Sequence, residues 1–153
     1  MALRLPLHKT VVVPSSHASV CRLCKRILAD VKAGSFDAEA IFGIHLAIEE
    51  ALTNAVKHGS KQNLKKHIKV DYSVTSDKFD IMVIDEGGGF NPAEVPDPRL
   101  DENLYKAGGR GLLLMRAYMD SVEYNTEGNC VHMVKLKRNA ESDRFSKNKA
   151  SLE

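Results

Sequence analysis

One amphipathic stretch, residues 41–59 (IFGIHLAIEEALTNAVKHG), constrains the fold more than any other part of the chain. Its apolar residues recur at spacings of three and four, which is the rhythm of a helix that is buried along one side. The members of this stripe are Ile41, Ile44, Ile48, Leu52, Ala55 and Val56. We therefore predict a helix here, with its apolar side turned to the core.

The polar side of this helix carries a carboxylate and a carboxamide. Glu50 and Asn54 are four residues apart, so they lie side by side on one face. At about 100° per residue that face is nearly opposite the apolar stripe, and Gly43 and Ala47 fall on it as well. Two polar groups above two small residues leave room for a ligand. A solvated face is the alternative when this helix is considered alone.

The composition describes one ordinary globular domain. The chain has 153 residues, of which 43% are hydrophobic and 27% are charged, and this is enough for a single core. No apolar run approaches the roughly 20 residues that span a membrane. The start of the chain, MALRLPLHKT, lacks the apolar segment of a secretory signal. We therefore expect no association with a membrane.

The net charge of +2 belongs to the C-terminal tail. From Lys137 onward the chain has five basic and three acidic residues, so residues 1–136 are neutral. A nucleic-acid-binding protein normally places its basic charge on the folded surface. We therefore predict no direct contact with nucleic acid.

The three cysteines do not have the spacing of a disulfide framework. Cys21-x-x-Cys24 could belong to a metal or redox site, but no second pair follows to complete a zinc site. Cys24 also falls on an apolar stripe, which comprises Val20, Leu23, Cys24, Ile27, Leu28 and Val31. We interpret both residues as thiols in or beside the core, and we place the protein in the reducing cytoplasm.

The N-terminal third of the chain predicts a strand followed by two helices. Ser15 or Ser16 can cap the first helix, and Gly34 is placed to end it. Asp37 is the predicted cap of the second helix, which is the amphipathic one and which we expect to close at residues 58–59.

A β-hairpin follows. Ile68, Val70, Tyr72 and Val74 alternate with polar residues, which is typical of a strand buried on one face. After a turn at residues 76–78, the segment 79–84 returns and is apolar nearly throughout, as expected of a central strand.

The rest of the chain completes the predicted fold. Residues 90–107 contain three prolines and no periodicity, and loops of this length are commonly lids or binding loops. A short helix at 112–119 and a hairpin at 122–136 follow. This order predicts an α+β fold, a two-layer α/β sandwich in which helices cover one face of a mixed, mostly antiparallel sheet. Residues 1–137 would form the single domain, and we expect the polar tail, 138–153, to be disordered.

The first glycine-rich stretch begins where the second hairpin strand ends. Asp85 leads directly into Gly87-Gly88-Gly89. Its carboxylate can accept a hydrogen bond from the exocyclic amine of adenine, and the glycines let a flat base or a phosphate approach the backbone. A strand followed by a simple glycine turn is the alternative.

The second glycine-rich stretch, Gly108-Gly109-Arg110-Gly111, precedes the short helix. Open backbone N–H groups, the positive end of a helix dipole and one arginine together suit a phosphate. The stretch does not resemble the lysine-containing P-loop, and the G-x-G-x-x-G pattern is absent. By itself, a glycine pair before a helix does not identify a phosphate site.

Taken in order, the three stretches resemble the nucleotide-binding boxes of the GHKL ATPases, and in particular those of the bacterial anti-sigma-factor serine kinases of the RsbW and SpoIIAB type. The segment EALTNA at 50–55 looks like the N box. DEGGGF at 85–90 and GRGL at 109–112 look like the two glycine boxes. The resemblance covers residues 9–136, which is nearly the whole predicted domain.

The resemblance implies a Bergerat-type ATP-binding fold and a role for each matched residue. Glu50 would be the catalytic general base, Asn54 would bind Mg²⁺, and Asp85 would bind the adenine amino group. Residues 90–108 would be a lid over the nucleotide. The ATP-binding residues would be Asn54, Asp85, Gly87, Gly89, Gly109, Arg110 and Gly111.

In function, the resemblance implies an ATP- and Mg²⁺-dependent protein serine kinase that acts as an anti-sigma factor. Such a kinase phosphorylates a STAS-domain antagonist and sequesters a sigma factor, usually as a homodimer. Two alternatives stay open. The first is an ATP-binding module that sequesters a partner without turnover, and the second is the ATP-binding half of a histidine kinase. The lid has little of the threonine and lysine of some family kinases, which leaves the first alternative open.

Overall fold

The computed structural model describes residues 5–59, 65–86 and 109–138. Five strands and three helices follow the predicted order. Their bounds are β1 Leu7–Pro14, α1 His17–Ala33, α2 Ala38–Asn54, β2 His67–Val74, β3 Lys78–Asp85, α3 Gly109–Tyr118, β4 Ser121–Tyr124 and β5 Cys130–Leu136. The predicted lid loop at 90–107 and nearly all of the predicted tail lie outside the described residues, so those two predictions are untested.

The strands form one sheet in the order β1-β2-β3-β5-β4. All four pairings are antiparallel, so the described sheet is not mixed. β3 lies between β2 and β5, which confirms the central position that its apolar sequence predicted. Because β5 pairs with β3 rather than β4, the last hairpin is brought against the strand that ends at Asp85.

The helices cover one face of this sheet, as predicted. Along β2 and β3 the alternate residues that point to the helices are buried, and they are Ile68, Val70, Tyr72, Val74, Phe79, Ile81 and Val83. They pack with α1 and α2 in a single hydrophobic core. The other face carries polar pairs, among them His8 with Asp71 and His132 with Asp80. In the described part of the chain, no helix is long and apolar enough to span a membrane.

The predicted helix caps are confirmed. The Ser16 hydroxyl accepts a hydrogen bond from the Ser19 N–H at 3.1 Å and begins α1, and the Gly34 N–H donates to the Val31 carbonyl at its end. Asp37 caps α2 by accepting from the Ala40 N–H at 2.7 Å. These caps satisfy backbone groups that a helix end otherwise leaves unpaired.

The end of α2 differs from the prediction. The α-helix stops at Asn54, and the five residues from Ala55 to Gly59 continue as a π-helical turn. π-Helical segments are rare and occur frequently at functional sites. The wider turn follows directly after the residue that was predicted to hold a cation.

The small residues of α2 accommodate a helix rather than a ligand, which corrects the expectation of open space above them. A Cβ atom at Gly43 would lie 3.1 Å from two atoms of the Tyr118 side chain on α3. Ala47 is completely buried, and the Phe42 ring meets the Tyr118 ring edge to face at 5.7 Å between centroids. Gly43 and Ala47 therefore let α3 pack closely, and only the far end of this face is left for a site.

Candidate functional site: the pocket at the end of α2

The polar end of α2 lies against the first turn of α3. A Cβ atom added to Gly111 would stand 2.6 Å from Glu50 Oε2 and 3.4 Å from Asn54 Nδ2. Only glycine fits this position while the carboxylate keeps its place. The N-terminal turn of a helix presents unpaired N–H groups and a partial positive charge. A carboxylate, a carboxamide and a positive helix end therefore meet at one point.

Asp85 supplies an acid at the end of β3. Only 9% of its surface is exposed, and its backbone N–H donates to the Asn129 carbonyl at 2.9 Å. Asp85 and Asn54 line one pocket, with Ala51, Ala55 and Val83 between them. The pocket contains about 280 Å³ of space, part of which is open to solvent. A buried carboxylate is costly unless it is hydrogen bonded, so a ligand N–H is a favourable partner for it.

The last hairpin contributes residues that the sequence analysis missed. Tyr124 of β4 and Cys130 of β5 line the same pocket, together with Gly128 and Asn129 of the turn between the strands. The sequence shows Tyr124 only as an apolar position of a short strand. Its place in the pocket follows from the pairing of β5 with β3, which no local pattern reveals.

Tyr124 is tied to Asn54. Burial raises the pKa of Tyr124 to about 12, and a hydrogen bond from the Asn54 side chain acts in the opposite direction. The phenol is therefore neutral at physiological pH. Because the amide N–H of Asn54 is directed at Tyr124, its carbonyl oxygen is the atom that can bind a cation, and carbonyl oxygen is a ligand that Mg²⁺ accepts.

The pocket also holds a thiol in its neutral form. Burial raises the pKa of Cys130, and the nearby negative charge of Asp85 raises it further. The pocket wall beside Asp85 is therefore weakly polar and uncharged, which suits the edge of an aromatic base rather than a phosphate.

The remaining predicted residues are only partly described. Gly109 and Arg110 form the start of α3, but the side chain of Arg110 lies outside the described part of the chain. Gly87 and Gly89 also lie outside it. Among the residues that the structure describes, no three His, Cys, Asp or Glu side chains are grouped to hold a metal ion. A cation at Asn54 would therefore need ligands from a bound molecule, which fits Mg²⁺ held largely by phosphate oxygens.

Comparison with protein families identifies the fold and the site together. A family model described as a histidine kinase-like ATPase domain matches residues 13–135. The chain belongs to this family. The match spans the described elements from the end of β1 to β5, and with them all three segments that line the pocket.

Relatives in this ATPase family are protein kinases. The serine-protein kinase RsbW of Listeria innocua is 36% identical over 110 residues, which cover 65% of this chain and 68% of the Listeria protein. RsbW of Oceanobacillus iheyensis is 31% identical over 98 residues, covering 60% and 62% of the two chains. The chain is therefore an ATP-using protein serine kinase of the RsbW type.

A solved structure supports the fold. The RsbU and RsbW domains of a Mycobacterium tuberculosis protein resemble this ATPase domain with a TM-score of 0.60 at 19% sequence identity. The match covers 90% of this chain and 34% of the longer crystallised one. The fold thus persists where little sequence identity is left, as expected when the core pattern rather than individual residues specifies it.

Proposed function

We propose that this RsbW-type domain is an Mg²⁺-dependent anti-sigma-factor kinase that transfers phosphate from ATP to a serine of a STAS-domain antagonist and, in an alternative complex, sequesters a sigma factor. The observation that carries the proposal is the meeting of Glu50, Asn54, Asp85 and the first turn of α3 around one pocket. We further propose that residues 1–137 act as one domain, that the protein works as a homodimer and that it is cytoplasmic.

The nucleotide half of the proposal rests on Asp85. A buried carboxylate at the bottom of a weakly polar pocket can accept a hydrogen bond from the amino group of adenine. Guanine carries a carbonyl oxygen at that position, which would face the carboxylate unfavourably. Gly87 and Gly89, next along the chain, would lie against the base, and Gly109, Arg110 and Gly111 would face the phosphates.

The transfer half rests on Glu50. Its carboxylate lies beside the first turn of α3, so it is close to the place where that turn would hold phosphate. From there Glu50 can accept the proton of an attacking serine hydroxyl, as a general base must. The helix N-terminus favours negative charge at the phosphate. Most of the remaining work in phosphoryl transfer is positioning and charge neutralisation.

Asn54 is the proposed protein ligand for the metal. The amide of Asn54 is oriented by Tyr124, and this directs its carbonyl oxygen toward the space beside Gly111. When bound, Mg²⁺ neutralises charge on the phosphate oxygens, which supply most of its other ligands. Tyr124 would keep the amide from turning its N–H groups to the cation.

The first experiment combines nucleotide binding with phosphate transfer. We expect ATP to raise the melting temperature by several degrees in the presence of Mg²⁺, since a ligand at about 100 times its dissociation constant adds roughly 2.7 kcal/mol of stability. The Asn54→Ala variant should lose the part of this increase that depends on Mg²⁺. Thr53→Ala is the matched control, because Thr53 is adjacent on α2 but faces α1.

Transfer is then measured with γ-labelled ATP and the STAS-domain protein of the same organism. Phosphoserine on that protein, with release of a bound sigma factor, is the expected result. ATP binding and partner binding without any transfer would replace the kinase proposal with that of a non-catalytic module. Acid-labile phosphate on histidine would instead indicate the ATP-binding half of a histidine kinase.

Gly111→Ala is expected to reduce transfer about tenfold while leaving the domain folded. The added Cβ would stand 2.6 Å from Glu50 Oε2, and the end of a flexible side chain can move away without disturbing the core. A displaced base costs rate because catalysis depends on alignment. The rate of single-turnover transfer measures the effect. Gly43→Ala places a methyl group in the same helix contact but far from Glu50, and an equal loss of rate in that control would contradict the explanation.

A further inference from the structure

A groove between α1 and α2 gathers five side chains that can bind a metal. The groove encloses about 250 Å³. His17, Cys21 and Cys24 face it from α1, where spacings of four and three residues place them on one side of the helix. His45 and Glu49 face it from α2 with a spacing of four. The nucleotide pocket uses none of these residues.

Two pairs within the groove already have the separation of ligands that share one ion. Cys21 Sγ lies 3.5 Å from His17 Nε2, and His45 Nε2 lies 3.6 Å from Glu49 Oε2. Ligands bound tetrahedrally at about 2.0–2.3 Å from zinc lie roughly 3.3–3.8 Å from one another. Each helix therefore presents one pair with suitable spacing.

The two pairs are near each other but are not yet joined. The charges of Glu49 and Cys21 both act on Cys24 and, together with burial, raise the pKa of that thiol to about 11, so the two helices' ligands share one electrostatic neighbourhood. Within the described residues no three ligands are grouped around one point. Joining them requires side-chain rotation only, because Cys21 is exposed and the side chains of His45 and Glu49 are 50% and 62% exposed.

We propose that this groove binds a thiophilic divalent transition-metal ion, with Zn²⁺ as the representative, through His17 and Cys21 of α1 and His45 and Glu49 of α2. Thiolate and imidazole donors select zinc and its neighbours over Mg²⁺. Cys21 binds as the thiolate and releases its proton. The ion would link α1 to the helix that carries Glu50 and Asn54.

The test uses Co²⁺ as a spectroscopic probe on the reduced full chain without nucleotide, so its outcome does not depend on the proposed kinase activity. We expect a thiolate-to-cobalt charge-transfer band together with the visible bands of tetrahedral Co²⁺, and loss of both on addition of Zn²⁺. Cys21→Ser should abolish the charge-transfer band. His45→Gln should keep that band but weaken Co²⁺ binding at least about tenfold. Unfolding temperatures measured without metal verify that the variants are folded.

His132→Gln is the matched control. It removes a histidine that pairs with Asp80 at 2.9 Å on the opposite face of the sheet, and it should leave the Co²⁺ spectrum unchanged. Absence of a thiolate band in the wild type would overturn the proposal. A band that persists in Cys21→Ser, or an affinity that is unchanged in both His45→Gln and Glu49→Gln, would equally overturn it, since the ion would then not link the two helices.

Discussion

Replacing Glu50 with glutamine should lower the rate of phosphate transfer to serine by roughly 10²- to 10⁴-fold, which is the range that general acid–base catalysis contributes. Glutamine has the shape of the carboxylate and fits beside Gly111 in the same way, but it cannot accept the proton of the serine hydroxyl. The affinity for ATP should change little. Single-turnover transfer with labelled ATP measures the rate, and calorimetry measures the affinity.

The control for this prediction is Glu39→Gln. Glu39 is an exposed residue in the first turn of the same helix, so the change removes one negative charge from α2 at the end remote from the pocket. It should leave transfer unaffected. If Glu50→Gln transfers phosphate at the rate of the wild type, Glu50 is not the base, and the role assigned to the first box is wrong.

Replacing Asp85 with asparagine should weaken ATP binding by roughly 10- to 100-fold, because a hydrogen bond to a charged partner contributes about 1.5–3 kcal/mol. The change preserves the shape of a side chain that is only 9% exposed, but it removes the charge that accepts the adenine amino group. An amide can turn an N–H toward a carbonyl oxygen, so discrimination against GTP should also decrease. Calorimetric titration with both nucleotides measures the two effects.

Asp71→Asn is the matched control for Asp85. Asp71 lies on the opposite face of the neighbouring strand, where the Thr10 hydroxyl donates to it at 2.8 Å and His8 pairs with it at the same distance. These contacts lower the pKa of Asp71, so the control removes a carboxylate that is ionised at neutral pH. ATP affinity should not change. Equal weakening in both variants would mean that charge in general, and not contact with adenine, accounts for the effect of Asp85.

The elements of this fold could be predicted because each of them follows from short-range chemistry. Ser16, Gly34 and Asp37 satisfy the ends of helices, and this depends only on residues three positions away. The alternation along β2 and β3 reports which face is buried, since successive side chains of a strand point to opposite faces. Element order and the two-layer architecture followed from these patterns alone.

The boxes that resemble the ATPase family were also visible in the sequence, but the space around them was not. Gly43 and Ala47 suggested room for a ligand, and the structure fills that room with α3. The same sequence pattern serves either use. Only the path of the chain after β3 decides which one applies.

The sequence by itself therefore determined the caps, the strands, the buried faces and the residues able to bind a nucleotide. The tertiary structure alone decided that Tyr124 and Cys130 line the pocket, and that His45 and Glu49 of α2 complete the ligand pairs of α1. The physical reason is distance along the chain. Caps and periodicity are local, whereas a pocket is formed by the packing of segments that are remote in sequence, and that packing depends on which strand pairs with which.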